Sequence, residues 1–128
     1  MSGSNDKKEV FSTGDTFKIL INFKLLDLKI EGVNFGVGIY SEDDTYILGY
    51  NTQMDDFSVK KDKKGELCLE FKTLPLLRGN YYINVSCFSN EDSKHLDFKP
   101  KCKYFKVFSS GKAIKYRGFL SIDHEWYC

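Results

Sequence analysis

Apolar residues recur at every second position through most of this chain, and that spacing constrains its fold more than any other feature. A strand turns successive side chains to opposite faces of its sheet, so a period of two marks segments with one face for a core. In 17–23, Phe17, Ile19, Ile21 and Phe23 fall on one side, with Lys18, Leu20 and Asn22 on the other. Residues 33–41 alternate Phe35, Val37 and Ile39 against Gly36, Gly38 and Tyr40. The run 66–74 sends Leu67, Leu69 and Phe71 inward, 79–88 sends Tyr81, Ile83, Val85 and Cys87, and 103–108 sends Phe105 and Val107. Segments 45–52 and 119–128 are two more strand candidates. Between these runs lie turn-forming pairs such as Asp43-Asp44, Lys64-Gly65, Arg78-Gly79 and Ser110-Gly111. No stretch keeps a 3.6-residue apolar stripe beyond two turns. Seven or eight short strands split by polar turns predict an all-β chain folded as an antiparallel β-sandwich.

A length of 128 residues suits one domain around one core. Residues 1–9 read as a disordered tail or an expression scar, leaving 10–128 as the single folded domain. In Leu74–Tyr82 a turn runs into a strand with Tyr81 two residues after Gly79. That resembles the tyrosine corner of immunoglobulin-like sandwiches, where a phenol near a strand start bonds back to the chain. Trp126, the one tryptophan, predicts that the final segment is anchored rather than frayed. The basic run Lys60–Lys64 precedes Gly65 and reads as a solvated hairpin tip.

The chemistry-bearing residues exclude more than they suggest. There is no GxSxG, no phosphate-cradling glycine loop and no HExxH, so the chain is read as a non-enzyme without cofactor or metal. His95 is expected in a loop and His124 in the last strand, each near carboxylates that are common in charged sequence. Cys68, Cys87, Cys102 and Cys128 have no metal-like spacing. With no apolar export signal in view, they are expected to be reduced thiols. A formal charge of +1, with acids interleaved among the bases, leaves no footprint for nucleic acid. No apolar run approaches the ~20 residues a membrane helix needs.

Five segments in order carry a resemblance: 11–23, 33–52, 74–88, 95–111 and 118–126, the last holding Gly118 and His124-Glu125-Trp126. Together they resemble the C-terminal domain of Wzt-type proteins over residues 10–127. That is the carbohydrate-binding module of ABC transporters exporting O-antigen and related polysaccharides. The resemblance implies an immunoglobulin-like sandwich on the cytoplasmic side of the bacterial membrane, tethered through the transporter's nucleotide-binding and membrane subunits. It also implies recognition of the polysaccharide before export, and a homodimer in which the C-terminal strand (Phe119, Ile122, Trp126) is exchanged between protomers. The family's ATPase sequence is not in this chain, which implies an excised domain or a separately fused module.

If the strands around 35–40, 81–88 and 104–108 lie side by side, their outward residues share one surface. Tyr40, Tyr82, Asn84, Ser86, Phe88, Tyr104 and Lys106 are therefore the candidate ligand-binding residues. Aromatic rings offer flat apolar faces to the C–H side of a pyranose, while amide, hydroxyl and ammonium groups meet its hydroxyls. Gly36 and Gly38 would leave a trough between the flanking rings. A structural or protein-interaction module with no glycan ligand is the alternative, since aromatics favour strands on either face.

Overall fold

In the computed structural model, which describes residues 9–26, 29, 32–61, 63–90 and 95–128, the alternating segments form seven strands. They are β1 (Val10–Ser12), β2 (Phe17–Lys24), β3 (Val33–Ser41), β4 (Tyr46–Asn51), β5 (Lys64–Phe71), β6 (Gly79–Ser89) and β7 (His95–Phe108). One sheet has five strands in the order β1-β7-β6-β3-β4, and the other pairs β2 with β5. Every pairing is antiparallel except β1 with β7. The chain is thus an all-β sandwich with a broad sheet facing a narrow one.

The core lies where the apolar faces of the two sheets meet. β2 contributes Phe17, Ile19 and Ile21, opposite Phe35, Val37 and Ile39 of β3 and Tyr81, Ile83 and Val85 of β6. A chain of rings links the layers: Phe11 to Phe17 at 4.7 Å, Phe17 to Phe105 at 4.8 Å and Phe105 to Tyr81 at 5.5 Å. Such ring pairs add about 0.5–1.5 kcal/mol each beyond the area they bury. The corner is present: the fully buried Tyr81 donates its phenol O–H to the Leu77 carbonyl at 2.6 Å. Leu74, Leu76 and Leu77 are buried beside it and close that end of the core.

Several expectations need correction. β4 and β5 belong to different sheets, so the segment holding Lys60–Lys64 crosses between sheets and is no hairpin tip; its described lysines are exposed. His95 starts β7 instead of lying in a loop, because β7 runs back through Pro100 by means of a bulge. There Ile83 pairs with Lys103 and Val85 with Lys99, so three residues face Asn84 alone, and Lys101 takes φ +48°. A bulge tolerates a proline that lacks the ladder N–H.

The final segment is not a strand. After a short 3₁₀ helix (Gly111–Lys115) it meets the body in one bridge, Leu76 to Leu120, flanked by backbone bonds from Leu77 N to Phe119 O and from Ser121 N to Pro75 O. Beyond residue 121 the segment pairs with no strand among the described residues. Trp126 is 92% exposed, so none of the described residues anchors it. The seventh strand is β1, three residues long and too short to show a period. The four cysteines are free thiols. The expectation for residues 1–8 lies outside the described residues.

Candidate functional site

The outer face of the five-stranded sheet is built in rows. Directly opposed residues of antiparallel strands share a face. Tyr82 on β6 opposes Tyr40 on β3 and Tyr104 on β7, and Tyr40 opposes Tyr46 on β4. Four tyrosines from four strands therefore form one ladder. Ring centres are 5.0 Å apart for Tyr46 and Tyr40, 5.2 Å for Tyr40 and Tyr82, and 5.7 Å for Tyr82 and Tyr104. The central pair is parallel to within 2°.

Tyr46 reaches this face through an irregularity. Ile39 pairs with Leu48, but Tyr40 pairs with Tyr46, so Ile47 is an extra residue on β4. That bulge puts Tyr46 on the same side as Gly49 and Asn51, which strict alternation would send opposite.

Tyr82 is the support of the ladder. It is only 5% exposed, walled in by Tyr40 and Tyr104 and capped from the β3–β4 turn and the β7 bulge. Its phenol donates to Asp44 Oδ1 at 2.7 Å, and Lys101 Nζ lies 5.2 Å from its ring centre and 3.8 Å from Asp44. Asp44 and Lys101 both have left-handed backbone, at φ +69° and +48°. That conformation is uncommon outside glycine, and here it brings the two charges together over one ring. The hydrogen bond to the Asp44 carboxylate, with burial second, pushes the Tyr82 phenol up to about 12.

Because the folded value lies above the ordinary one near 10, this bond contributes fully below pH 10 and is lost as pH rises towards 12. In an absorbance titration at alkaline pH, Tyr82→Phe is therefore expected to remove one late-ionising tyrosine. Its cost in stability is expected to be small, since the carboxylate partner is exposed. An unchanged late phase would show that Tyr82 does not hold this bond.

Beside the ladder lies a shallow trough of about 330 Å³. Its floor has two rows: Gly49, Gly38 and Asn84, then Asn51, Gly36, Ser86 and Phe98. A Cβ on Gly36 would sit 2.7 Å from Ser86 Oγ, and one on Gly49 would collide with the Tyr46 hydroxyl. Glycine at these two places lets neighbouring polar groups lie across the floor. Asn84 Oδ1 accepts the Lys101 N–H at 2.7 Å, and Asn51 Oδ1 accepts the Met54 N–H at 2.7 Å. Both amides are thereby fixed in orientation.

Of the residues expected from sequence, Tyr40, Asn84, Ser86 and Phe88 line the trough. Tyr104 is exposed at the end of the ladder, while Tyr82 is on the same face but buried under its neighbours. Lys106 lies farther along β7 with its ammonium 5.0 Å from the Phe108 ring centre, away from the trough. Sequence reasoning missed Tyr46, Asn51, Met54 and Phe98, which also line the trough, and the Asp44–Lys101 clamp. Phe119, Ile122 and Trp126 are all exposed and lie outside this site. Among the described residues no three His, Cys, Asp or Glu side chains converge as metal ligands.

Residues 1–121 match the sequence profile of the family described as the Wzt C-terminal domain. The chain belongs to this family. The Wzt C-terminal domain described here also matches a solved structure, "Crystal structure of the C-terminal domain of wzt", with a TM-score of 0.73 and 15% sequence identity. The match covers 100% of this chain and 78% of that one, and at this identity it shows the shared fold. No curated protein matches the chain by sequence. Among the described residues no helix is long and apolar enough to cross a membrane.

Proposed function

We propose that this domain is a non-catalytic carbohydrate-binding module that recognises a bacterial surface polysaccharide for export by an ABC transporter. The single observation that carries this reading is the tyrosine ladder beside a glycine-floored trough. Sugar rings present apolar C–H faces and hydroxyl edges, and this face supplies flat rings flanked by amide and hydroxyl groups. Its volume falls in the range of small-ligand sites. Tyr40, Asn84, Ser86, Phe88 and Tyr104 are the proposed contacts, with Tyr82 supporting them from below. Lys106 is proposed only as a contact for a chain that extends past Tyr104. Family membership supports the transporter setting and, with it, a cytoplasmic position beside nucleotide-binding and membrane subunits.

Calorimetric titration with the surface polysaccharide of the organism that makes this protein is expected to show saturable binding. A folded protein that gives no signal with that polymer overturns the proposal.

A homodimer formed by exchange of the C-terminal segment is proposed with it. Ile122, Trp126 and Tyr127 are 68%, 92% and 85% exposed, an arrangement of large apolar groups that a partner surface would cover. Light scattering is expected to give twice the chain mass for the full chain and the single mass for a chain cut before Gly118. Equal, monomeric masses for both would remove the exchange. This reading leaves the tyrosine face open, whereas the alternative of a pure interaction module buries it.

A further inference from the structure

We infer that the end of the trough distant from the tyrosine ladder takes an acetamido sugar, one bearing an N-acetyl group. This deepens the saccharide reading and rests on it. The inference starts from hydrogen-bond polarity. Asn51 and Asn84 each turn the side-chain oxygen to a backbone N–H, which fixes the amide with its two NH₂ donors pointing the other way and leaves the oxygen one lone pair. Ser86 Oγ adds a hydroxyl above Gly36, between them. The row of Asn51, Gly36 and Ser86 is thus richer in donors than in acceptors, and it favours an acceptor on the ligand.

The acceptor is a neutral one. Among the described residues no carboxylate and no cation line the trough, so a uronate or phosphate would lose its hydration there without a counter-charge from them. Lys101 is turned to Asp44, and Lys106 lies beyond the far side of the ladder. A carbonyl oxygen accepts two hydrogen bonds and carries no charge. The surroundings then select what the carbonyl is attached to. Met54, Phe88 and Phe98 line the same end, an apolar patch suited to a methyl group. Carbonyl and methyl side by side on a sugar make an acetyl group. Rows on one face are about 6.8 Å apart, two residues along a strand. The acetyl would then sit two rows, about 14 Å, from the tyrosine ladder, leaving it free to stack a neighbouring ring.

The test uses NMR titration of the full chain with matched monosaccharides: N-acetylglucosamine against glucose, N-acetylgalactosamine against galactose, N-acetylmannosamine against mannose, and glucuronate. At least one acetamido sugar is expected to bind about tenfold or more tightly than its hydroxyl counterpart, and glucuronate not at all. Asn51→Asp and Asn84→Asp keep the oxygen that holds each loop but remove the donors. Each is expected to cut the acetamido preference by about tenfold with the fold intact, whereas Tyr104→Ala, about 14 Å from that end of the trough, leaves both members of a pair binding as in the wild type. Equal binding of the paired sugars, tighter binding of glucuronate, or a preference that survives both aspartates overturns the acetamido assignment while leaving the saccharide reading standing. Silence of the folded protein towards every sugar, and towards the cognate polysaccharide, overturns both.

Discussion

Replacing Tyr81 by alanine is expected to destabilise the domain by about 3–5 kcal/mol, the largest effect of any single truncation on this fold. The ring is 1% exposed, stacks on Phe105 and carries the phenol that closes the corner on Leu77. Removing a buried aromatic forfeits its transfer energy and leaves a cavity that a packed interior fills only in part. Domains of this size are stable by roughly 5–15 kcal/mol, so the loss is a large share of the whole. Tyr81→Phe keeps the ring and deletes only the hydrogen bond, leaving the Leu77 carbonyl without that donor, at a cost of about 1–2 kcal/mol. Urea unfolding followed by circular dichroism measures both. A Tyr81→Ala loss no greater than that of Tyr81→Phe would mean that the ring packs nothing of consequence.

Tyr104→Ala is expected to do the reverse: little to the fold and much to binding. Tyr104 is 54% exposed and among the described residues its ring meets only that of Tyr82, so truncation is expected to change stability by about 1 kcal/mol at most. As the open end of the ladder it is a proposed stacking platform. An aromatic anchor of an interface is worth about 2 kcal/mol or more, a loss of some 30-fold in affinity. Tyr104→Phe keeps the platform and is expected to bind within a few-fold of wild type. Lys106→Ala, off the trough, is expected to cost less than Tyr104→Ala. Wild-type affinity in Tyr104→Ala, measured by the same calorimetry, would remove the ladder from the binding site.

Much of this architecture was legible in alternation alone. The parity of β3, β6 and the end of β7 is regular, so Tyr40, Tyr82 and Tyr104 could be placed on one face before any coordinates. The corner was legible because Gly79 and Tyr81 stand at its characteristic spacing. What alternation cannot carry is a break in alternation. The extra residue Ile47 moves Tyr46 to the ligand face, and the three-residue bulge at 100–102 brings Lys101 over Tyr82. Both change the count on one strand against its partner, and a single sequence records no partner. Burial across a face was hidden for the same reason: Tyr82 and Tyr104 have equal parity, but only Tyr82 has ring neighbours on both sides. The terminal segment reads as a strand from its apolar residues, yet a strand needs a ladder, and among the described residues it finds one bridge.

The central claim is that the tyrosine ladder and its trough are where the polysaccharide sits. Amide-resolved NMR of the full chain, titrated with the organism's own surface polysaccharide, tests it most directly. The expected result is a set of shifts concentrated on Tyr40, Tyr46, Asn51, Asn84, Ser86 and Tyr104. An unchanged spectrum of folded protein at the highest polymer concentration, or shifts confined to β2 and β5 on the opposite sheet, would contradict it.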